Sequence, residues 1–382
     1  MMDHIMRWTF RAFKAFDWPL LLILVLFGML GMVVMHSAVG DTDGRFVQQG
    51  RNFLLAFMVM WFVALWTPSQ IMKSVIPFYV LGCLLLLAVE LFGSTSKGAT
   101  RWLDLGFIRL QPSEMMKLCV PMMLAWYFDK YRSDLRIRDF IVAGILLLIP
   151  FALIIKQPDL GTALLVFATG FCVIYFAGLS FKLLTPIFII GVIFLGLILY
   201  FESTLCAPGF DWVILHEYQK TRVCTLLDPN TDPLGKGFHT IQGMIAIGSG
   251  GLYGKGYMMG TQTHLDFIPE RTTDFIFAVF AEEFGLYGSV LLLIMYTLLI
   301  ARCFAITMRA QTQFGRLLAG ALTMMFFVYV FVNMGMVMGI LPIVGVPLPF
   351  MSYGGTALVT LGIASGLLMS IANYKPQRKP EL

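Results

Sequence analysis

Residues 18–38 read WPLLLILVLFGMLGMVVMHSA and contain no Asp, Glu, Lys or Arg. A helix needs about 20 apolar residues to cross the hydrocarbon core of a bilayer, so this stretch is long enough to span it. Arg7, Arg11 and Lys14 precede it, and no small-residue cleavage site follows the apolar run. The stretch is therefore predicted to be a retained membrane anchor and not a removed signal peptide.

Similar apolar stretches recur along the chain, near residues 52–66, 72–92, 113–128, 139–155, 161–178, 183–202, 274–303, 317–340 and 352–372. The chain of 382 residues is 58% hydrophobic and 13% charged, against roughly 25% charged residues in a soluble protein. This composition excludes a soluble enzyme, a disordered scaffold and a secreted disulfide-rich domain. The predicted fold class is an all-α polytopic membrane protein of about ten transmembrane helices, with a long extracytoplasmic loop, residues 203–272, between the seventh and the eighth.

The distribution of basic residues orients the chain in the membrane. If the N-terminus is cytoplasmic, most Lys and Arg residues lie on that side, and the short outer loops hold only Arg45, Arg51, Lys97, Arg101, Arg109 and Lys156. Cytoplasmic loops are enriched in Lys and Arg, so both termini are expected in the cytoplasm. The basic residues form no single stripe, so the net charge of +5 does not indicate a nucleic-acid partner.

Four polar segments then lie on the outer side of the membrane: 93–114, 156–162, 203–274 and 341–355. ATP is not available there, so any chemistry must draw its energy from the substrate itself. The first of these segments carries Lys97, Arg101, Arg109, Ser113 and Glu114, and it leads into the fourth apolar stretch, which holds Lys117.

The start of the fourth stretch combines a predicted cap with an ionisable pair. Ser113 follows Pro112 and is expected to cap the helix, with Glu114 in its first turn. Glu114 and Lys117 share one face, and ionisable side chains in a membrane helix usually face the bundle or a wet cavity. The pair is either a structural ion pair or, with the nearby Arg and Lys residues, a cationic receptor for an anionic group; both roles are compatible.

Carboxylates at two other positions each have two interpretations. Asp159, in the segment 156–162, either caps the sixth helix or lines the outer cavity. Asp274, where the long polar loop meets the eighth stretch, is either a helix cap or a site residue. Glu282 and Glu283 lie two turns deeper, where carboxylates are costly. At about 100° per residue, Asp274 and Glu282 are expected to border one cavity, and Glu283 to face a different helix.

Three glycine-containing segments complete the set of motifs. Ser352, with the N–H groups that follow it in PLPFMSYGGT (347–356), is a candidate anion contact or part of a plain helix start. The segment GSGGLYGKG (248–256) lacks the residues of a P-loop and is expected to form loop turns. Gly335 and Gly339 form a GxxxG pair that predicts close helix packing, either internal or with a partner.

Two cysteines, Cys206 and Cys224, share the extracytoplasmic loop. Oxidation is possible on that side of the membrane. A disulfide and two free thiols are both open interpretations at this point.

Together these segments resemble the SEDS family of bacterial cell-wall polymerases. The resemblance covers residues 18–373 and rests on KGATRWLDLG (97–106), QPSE (111–114), QPDLGT (157–162), LDPNTDP (227–233), IGSGG (247–251), PERTTDFIFA (269–278) and VPLPFMSYGG (346–355). Residues 248–283 are more similar to the elongation branch than to the division branch. The chain is thus interpreted as a single SEDS-type membrane domain, 1–382, with cytoplasmic segments at 1–17 and 374–382.

The resemblance implies a peptidoglycan glycosyltransferase of the bacterial cytoplasmic (inner) membrane. Such an enzyme polymerises lipid II into β-1,4 glycan strands at the outer face during cell elongation. The family motif assigns Asp274 as the catalytic base or as the ligand of a divalent cation, Mg²⁺ or Mn²⁺. The predicted substrate-binding residues are Lys97, Arg101, Glu114, Lys117, Asp159, Arg271 and Ser352.

The resemblance also implies partners. A class B penicillin-binding protein, a transpeptidase, would pack its single spanning helix near the eighth and ninth helices, and other elongation-complex membrane proteins would join it. Two rival functions are a lipid II flippase and a non-enzymatic scaffold of the cell-wall synthesis complex. The motifs cluster on one side without an inverted repeat, which argues against a transporter. A scaffold would not need several ionisable groups converging on one face.

Overall fold

The computed structural model describes residues 16–40, 44–96, 99–104, 106, 109–131, 135–206, 217–228, 236–264 and 270–375. The helices in these ranges are α1 (Trp18–Val39), α2 (Arg45–Ala64), α3 (Pro68–Phe92), α4 (Pro112–Lys130), α5 (Ile137–Lys156), α6 (Leu160–Phe176), α7 (Phe181–Tyr200), α8 (Glu202–Leu205), α9 (Glu217–Leu227), α10 (Lys236–Gly250), α11 (Thr261–His264), α12 (Ile276–Arg309), α13 (Gln313–Val337) and α14 (Gly355–Asn373). Three short strands, β1 (Ser94–Ser96), β2 (Ala99–Asp104) and β3 (Arg109–Leu110), lie between α3 and α4.

Each predicted apolar stretch coincides with one long helix of the described chain. Six of the described helices are long and apolar enough to cross a membrane: α1, α3, α5, α12, α13 and α14. By contrast, α4 carries charged residues at both ends, and α6 has only 17 residues. The chain is therefore a multi-pass membrane protein with at least these six candidate spans in its described part.

Helices α4 and α13 form the centre of the bundle. They pack against each other and against α6, and α13 also packs against α12. In the most apolar 18 residues of α13, 78% are buried inside the protein. The corresponding shares are 28% in α3 and 22% in α5. A helix that is buried on all sides needs no polar face, and an outer helix in lipid keeps apolar residues on its surface. The polar residues on α4 and α13 therefore lie inside the protein.

The glycine pair on α13 serves internal packing. A Cβ at Gly335 would lie 2.9 Å from the side chain of Leu341, and Gly339 lies past the helix end, next to Met244. Both contacts are internal, but Leu341 lies in no helix and Gly339 lies beyond the end of α13, so the predicted packing of a GxxxG face against another helix is not observed. Gly335 is buried and offers no surface to a partner helix, and Gly339 is half-buried.

Helix α12 is broken at Gly285, where φ is 64° and ψ is −159°. Residues 251–256, which we call the inserted segment, supply the backbone partners that the break removes. Four hydrogen bonds join them: Lys255 N–H to Glu282 O (3.0 Å), Gly256 N–H to Glu283 O (3.0 Å), Leu286 N–H to Gly251 O (2.9 Å) and Tyr287 N–H to Leu252 O (3.1 Å). Backbone at membrane depth is stable only when its polar groups are paired. The predicted turns at 251–256 thus dock onto a helix, while residues 248–250 end α10.

The three strands form an antiparallel sheet in the order β1-β2-β3. The described chain is helix-rich, as predicted, and this small sheet is an element that the prediction did not include. Thr95 pairs with Thr100, and Trp102 pairs with Ser94, and Thr and Trp are residue types that favour strands. The sheet is small, but it brings Arg101 and Arg109 to the start of α4.

The segment 203–272 is more than a connecting loop. Its described part contains α9, α10 and α11, and α10 packs along α12. Cys206 and Cys224 form a disulfide with a Cα–Cα distance of 5.7 Å. The bridge ties the end of α8 to α9, which decides between the two interpretations of these cysteines.

Candidate active site

The ion pair in the first turn of α4 is buried. Lys117 is 1% exposed, and its Nζ donates to Glu114 Oε1 at 2.5 Å and to the Tyr329 hydroxyl at 2.8 Å. The other carboxylate oxygen of Glu114 is buried and has no hydrogen-bond partner among the described residues. The structural ion pair predicted here is therefore present, and it leaves one carboxylate oxygen unused.

Arg101 and Asp159 meet at the junction of β2 and α6. Arg101 Nη1 lies 3.7 Å from Asp159 Oδ1, and its Nη2 donates to the carbonyl of Pro158. Asp159 is the N-cap of α6 and accepts the N–H of Thr162 at 3.3 Å. The capping interpretation of Asp159 is confirmed, and the same side chain anchors a predicted substrate-binding arginine.

The start of α4 differs from the prediction. The N-cap position is held by Gln111 and not by Ser113, because Pro112 occupies the first helical position, where its missing N–H costs nothing. Gln111 Nε2 donates to Asp159 Oδ2 at 3.0 Å, and the Ser113 hydroxyl donates to the same oxygen at 3.3 Å. Both side chains thus join α4 to α6 through Asp159.

Asp274 lies in a turn, residues 270–275, directly before α12. The N-cap position of α12 is occupied by Phe275, so the structure does not support the capping interpretation of Asp274. A Cβ at Gly345 would lie 3.4 Å from Asp274 Oδ2, so the carboxylate faces the glycine of the segment before α14. Asp274 is half-buried, so its carboxylate is partly desolvated.

Ser352 and Arg271 hold this turn to its neighbours. The Ser352 hydroxyl donates to the Thr273 carbonyl at 2.6 Å and accepts the Leu348 N–H at 2.7 Å. Arg271 is half-buried, and its Nε donates to the carbonyl of Ala38 at the end of α1, at 2.7 Å. Both predicted substrate-binding residues therefore have structural partners. Lys97 lies outside the described residues.

The two deeper glutamates serve the inserted segment and α1. Glu282 Oε1 accepts from Lys255 Nζ at 2.6 Å, from Thr261 Oγ1 at 3.0 Å and from Gln262 N–H at 3.1 Å. The Glu282 side chain faces Lys255 of the inserted segment and the start of α11, and not Asp274. The prediction that Asp274 and Glu282 border one cavity is therefore wrong. Glu283 Oε1 accepts the Ser37 hydroxyl on α1. The prediction that Glu283 faces a different helix is confirmed.

A groove with a volume of about 880 Å³ lies between α2, α3, α4 and α14. Its lining runs from Gln48, near the start of α2, to Trp66, just past the end of that helix, a distance of about 30 Å for a helix of this length. Apolar side chains such as Phe62, Ile71, Phe78, Leu118 and Leu367 form most of its wall. Arg109, Gln111 and Glu114 lie at one end. The groove thus connects an apolar channel to the polar side chains at the start of α4.

Tyr329 and Asn333 on α13 link the two halves of this region. Tyr329 contacts Lys117, and Asn333 Nδ2 donates to the carbonyl of Asp274 at 2.8 Å. Sequence reasoning missed both as site residues. For Asn333 the available signal was an amide inside an apolar stretch, where a polar side chain is costly. For Tyr329 there was no comparable signal, since Tyr is common near membrane interfaces.

The residues around Asp274 do not form a metal site by themselves. No group of three or more His, Cys, Asp or Glu that could hold a metal ion occurs in the part of the chain that the structure describes. Asp274 would supply a single carboxylate to a cation. Mg²⁺ is often bound by one or two carboxylates together with substrate phosphates, so any cation here would depend on oxygens of the substrate.

Comparison with known proteins identifies relatives along nearly the whole chain. The model of a family described as cell cycle protein, comprising FtsW, RodA and SpoVE, matches residues 17–377. The peptidoglycan glycosyltransferase MrdB of Escherichia coli (strain K12) is 43% identical over 376 residues, covering 98% of each chain. The peptidoglycan glycosyltransferase RodA of Treponema pallidum is 32% identical over 427 residues, covering 94% of this chain and 98% of the relative.

Two solved structures share the fold. A chain from work on structural coordination of polymerization and crosslinking by a peptidoglycan synthase complex matches with a TM-score of 0.77 and 30% identity, covering 94% of this chain and 97% of that one. The crystal structure of the rod shape determining protein RodA of Thermus thermophilus matches with a TM-score of 0.68 and 26% identity, covering 94% and 98%. With the sequence matches, these show that the chain belongs to the FtsW/RodA/SpoVE family.

Proposed function

We propose that the chain is a peptidoglycan glycosyltransferase that polymerises lipid II at the outer face of the bacterial cytoplasmic membrane during cell elongation. The relatives named peptidoglycan glycosyltransferase MrdB and RodA support this activity and the elongation role. The observation that carries the proposal is the arrangement of three features. They are the half-buried carboxylate of Asp274, the buried Lys117–Glu114 pair, and an apolar groove that ends at Glu114.

In the proposed reaction, the Asp274 carboxylate takes the proton from the 4-hydroxyl of the acceptor sugar. The hydroxyl oxygen forms a bond to C1 of the donor sugar, and the bond between C1 and the diphosphate oxygen breaks. The leaving group is the polyprenyl diphosphate, which already carries the activation energy, so no ATP is required. Attack opposite the leaving group converts an α-linked donor into a β-1,4-linked product.

The departing diphosphate needs positive charge. Arg101, Arg271 and Lys97 are the proposed contacts, by charge and hydrogen bonds. Lys117 is fully buried between Glu114 and Tyr329, so its charge acts mainly through the local field and through the orientation of Glu114. Asp159 contributes by holding Arg101 at 3.7 Å. Ser352 acts by holding the turn that carries Asp274.

The groove between α2, α3, α4 and α14 is the proposed path of the polyprenyl tail. A volume of about 880 Å³ with a mostly apolar lining suits a hydrocarbon chain. The polar end of the groove, with Gln111 and Glu114, would then lie beside the diphosphate. In this proposal the reacting sugar lies beyond the polar end of the groove, on its outer side.

A divalent cation is a second proposal for Asp274, with the carboxylate as one ligand and the substrate diphosphate supplying the others. Chelation distinguishes the two roles. Loss of polymerisation in EDTA that Mg²⁺ or Mn²⁺ restores would assign the carboxylate as a ligand. Full activity in EDTA would assign it as the base.

The proposed partner is a class B penicillin-binding protein whose single spanning helix packs near α12 and α13. Similarity to a chain of a peptidoglycan synthase complex for polymerization and crosslinking supports such a partner. The surface of α13 carries Phe327 and Phe331, which are 43% and 54% exposed and stack with ring centroids 5.8 Å apart. These aromatic side chains replace the glycine pair as the proposed contact.

The proposed topology has ten spans with both termini in the cytoplasm. The distribution of Lys and Arg supports it, as does the disulfide between Cys206 and Cys224, because disulfides form in oxidising compartments. Labelling of single engineered cysteines in the loops of intact cells with a membrane-impermeant reagent tests it.

The activity is tested with the purified chain and its penicillin-binding protein, the latter carrying an inactivated transpeptidase site. Labelled lipid II is the substrate, and product length is read on a gel. Long glycan strands from the wild type support the proposal. No polymer from an intact complex would favour a lipid II flippase, and a lipid-scrambling assay in vesicles would test that alternative.

A further inference from the structure

Helix α13 presents two polar side chains on one face, since Tyr329 and Asn333 are four residues apart. Both are fully buried. The Tyr329 hydroxyl accepts a hydrogen bond from Lys117 Nζ at 2.8 Å, and Asn333 Nδ2 donates to the backbone carbonyl of Asp274 at 2.8 Å. One turn of one helix therefore contacts both the buried cation and the backbone of the proposed base.

Asn333 is one of three donors that fix the turn at residues 270–275. Each of three consecutive carbonyls in this turn accepts from a group outside it: Thr272 O from Tyr353 N–H (2.8 Å), Thr273 O from the Ser352 hydroxyl (2.6 Å) and Asp274 O from Asn333 Nδ2 (2.8 Å). A backbone held at three successive carbonyls has little freedom to move. This arrangement fixes the backbone position from which the Asp274 side chain extends.

The surroundings of Asn333 argue against a simple packing role. Its Nδ2 also donates to the carbonyl of Val346 at 2.7 Å, so both amide hydrogens are used. Its Oδ1 is buried and has no partner in the described chain. A buried polar atom without a partner costs free energy, and leucine would fill a similar volume without that cost. The amide is therefore explained by the two carbonyls it holds together.

We infer that Tyr329 and Asn333 are positioning residues that set the separation between the Asp274 carboxylate and the Lys117–Glu114 pair. The inference rests on the proposed function, which assigns the proton transfer to Asp274 and part of the charge at the diphosphate to Lys117. The reaction needs both centres at one sugar at the same time. A misplacement of about 1 Å can lower the rate of such a reaction by about 10²-fold.

The test compares three variants with a matched control on the same helix. Asn333→Leu removes both donated hydrogen bonds, Asn333→Gln keeps the donors, and Tyr329→Phe removes one hydroxyl. Thr323→Val is the control, because the buried Thr323 hydroxyl bonds to the Ala319 carbonyl at 2.7 Å and lies 3.4 Å from the Thr307 hydroxyl on α12, away from Lys117 and from the turn at 270–275. Initial rates on labelled lipid II, with the partner present, give kcat and KM for each.

We expect Asn333→Leu to lower kcat by about tenfold or more with KM within about twofold of the wild type, because the loss falls on the transition state. Tyr329→Phe should also lower kcat with little change in KM. The kcat of Asn333→Gln should lie between those of Asn333→Leu and the wild type, and the kcat of Thr323→Val should equal that of the wild type. Hydrogen exchange of the peptide covering 270–275 should be faster in Asn333→Leu and unchanged in Thr323→Val. This second measurement does not depend on activity.

A kcat within about twofold of the wild type in both Asn333→Leu and Tyr329→Phe would overturn the inference. So would unchanged hydrogen exchange in Asn333→Leu. If Asn333→Leu does not fold, Tyr329→Phe decides alone, since the loss of one oxygen leaves the packing in place. A wild-type complex that makes no polymer would overturn the proposed function, and the exchange comparison would then decide whether Asn333 holds the turn.

Discussion

The inserted segment at the break of α12 depends on Gly254. Its φ is +81°, and a Cβ there would lie 2.0 Å from the carbonyl oxygen of Glu283. Gly254→Ala therefore strains the backbone and also pushes the segment away from the helix. The loss of stability that follows can be worked out from the contacts involved.

Two contributions add in this variant. A non-glycine residue in the left-handed region costs about 1–2 kcal/mol. Displacement of the segment also removes the N–H groups of Lys255 and Gly256 from the carbonyls of Glu282 and Glu283, and each buried acceptor left without a partner costs about 1–3 kcal/mol. We expect Gly254→Ala to lower the free energy of unfolding by about 3–8 kcal/mol.

Gly251→Ala is the matched control within the same segment. Its φ is also positive, at +56°, but no atom lies within 4 Å of the added Cβ, so only the backbone cost of about 1–2 kcal/mol is expected. The assay is unfolding by SDS in mixed micelles, with lipid II polymerisation as a second readout because Asp274 lies in the turn that directly precedes the first half of α12. Equal losses of stability in the two variants would refute the docking described here.

Three further predictions concern the site and the disulfide. Asp274→Asn should lower polymerisation by about 10²–10⁴-fold, the usual contribution of a general base, with an unchanged melting temperature; polymer at the wild-type rate would remove the carboxylate from the chemistry. Lys117→Met should destabilise the protein by about 3–5 kcal/mol, because it leaves Glu114 charged and buried, and adding Glu114→Gln should restore stability but not activity. Replacing Cys206 and Cys224 together by Ser should lower the free energy of unfolding by about 3 kcal/mol, because the disulfide no longer closes the loop between them. Thermal unfolding of the purified protein measures the stability of the Lys117 variants and of the double Ser variant. No loss of stability in the double Ser variant would mean that the disulfide does not form.

The positions of the long helices could be predicted from sequence because length and apolar content determine which segments enter a membrane. Each of the ten predicted stretches coincides with one described helix, with ends shifted by up to seven residues at the start of α2 and six at the end of α12. The neighbourhood of Glu114 and Lys117 was also predictable, because their contact follows from a spacing of three along one helix. Local rules were sufficient for both.

The remaining features depend on contacts between distant parts of the chain. Gly285 looked like any glycine in an apolar stretch, and glycine is frequent in transmembrane helices; only the docking of residues 251–256 gives its conformation a reason. Asp159 could be assigned as a cap, but its contact with Arg101 requires β2 to fold over α6. The predicted cap at Ser113 was wrong because Pro112 takes the first helical position of α4, and the Ser113 hydroxyl instead donates to Asp159 of α6. No local pattern distinguishes these outcomes.

The inserted segment also imposes an order on assembly in the membrane. Residues 251–256 precede α12 in the chain, so they are synthesised before the helix that they complete. They pair with the carbonyls of Glu282 and Glu283 and with the N–H groups of Leu286 and Tyr287, the four groups that a continuous helix would pair with one another. The two halves of α12 therefore cannot reach their final alignment before this segment returns to them. The break in α12 is thus specified by an earlier segment of the chain, and the apolar run 276–309 alone does not encode it.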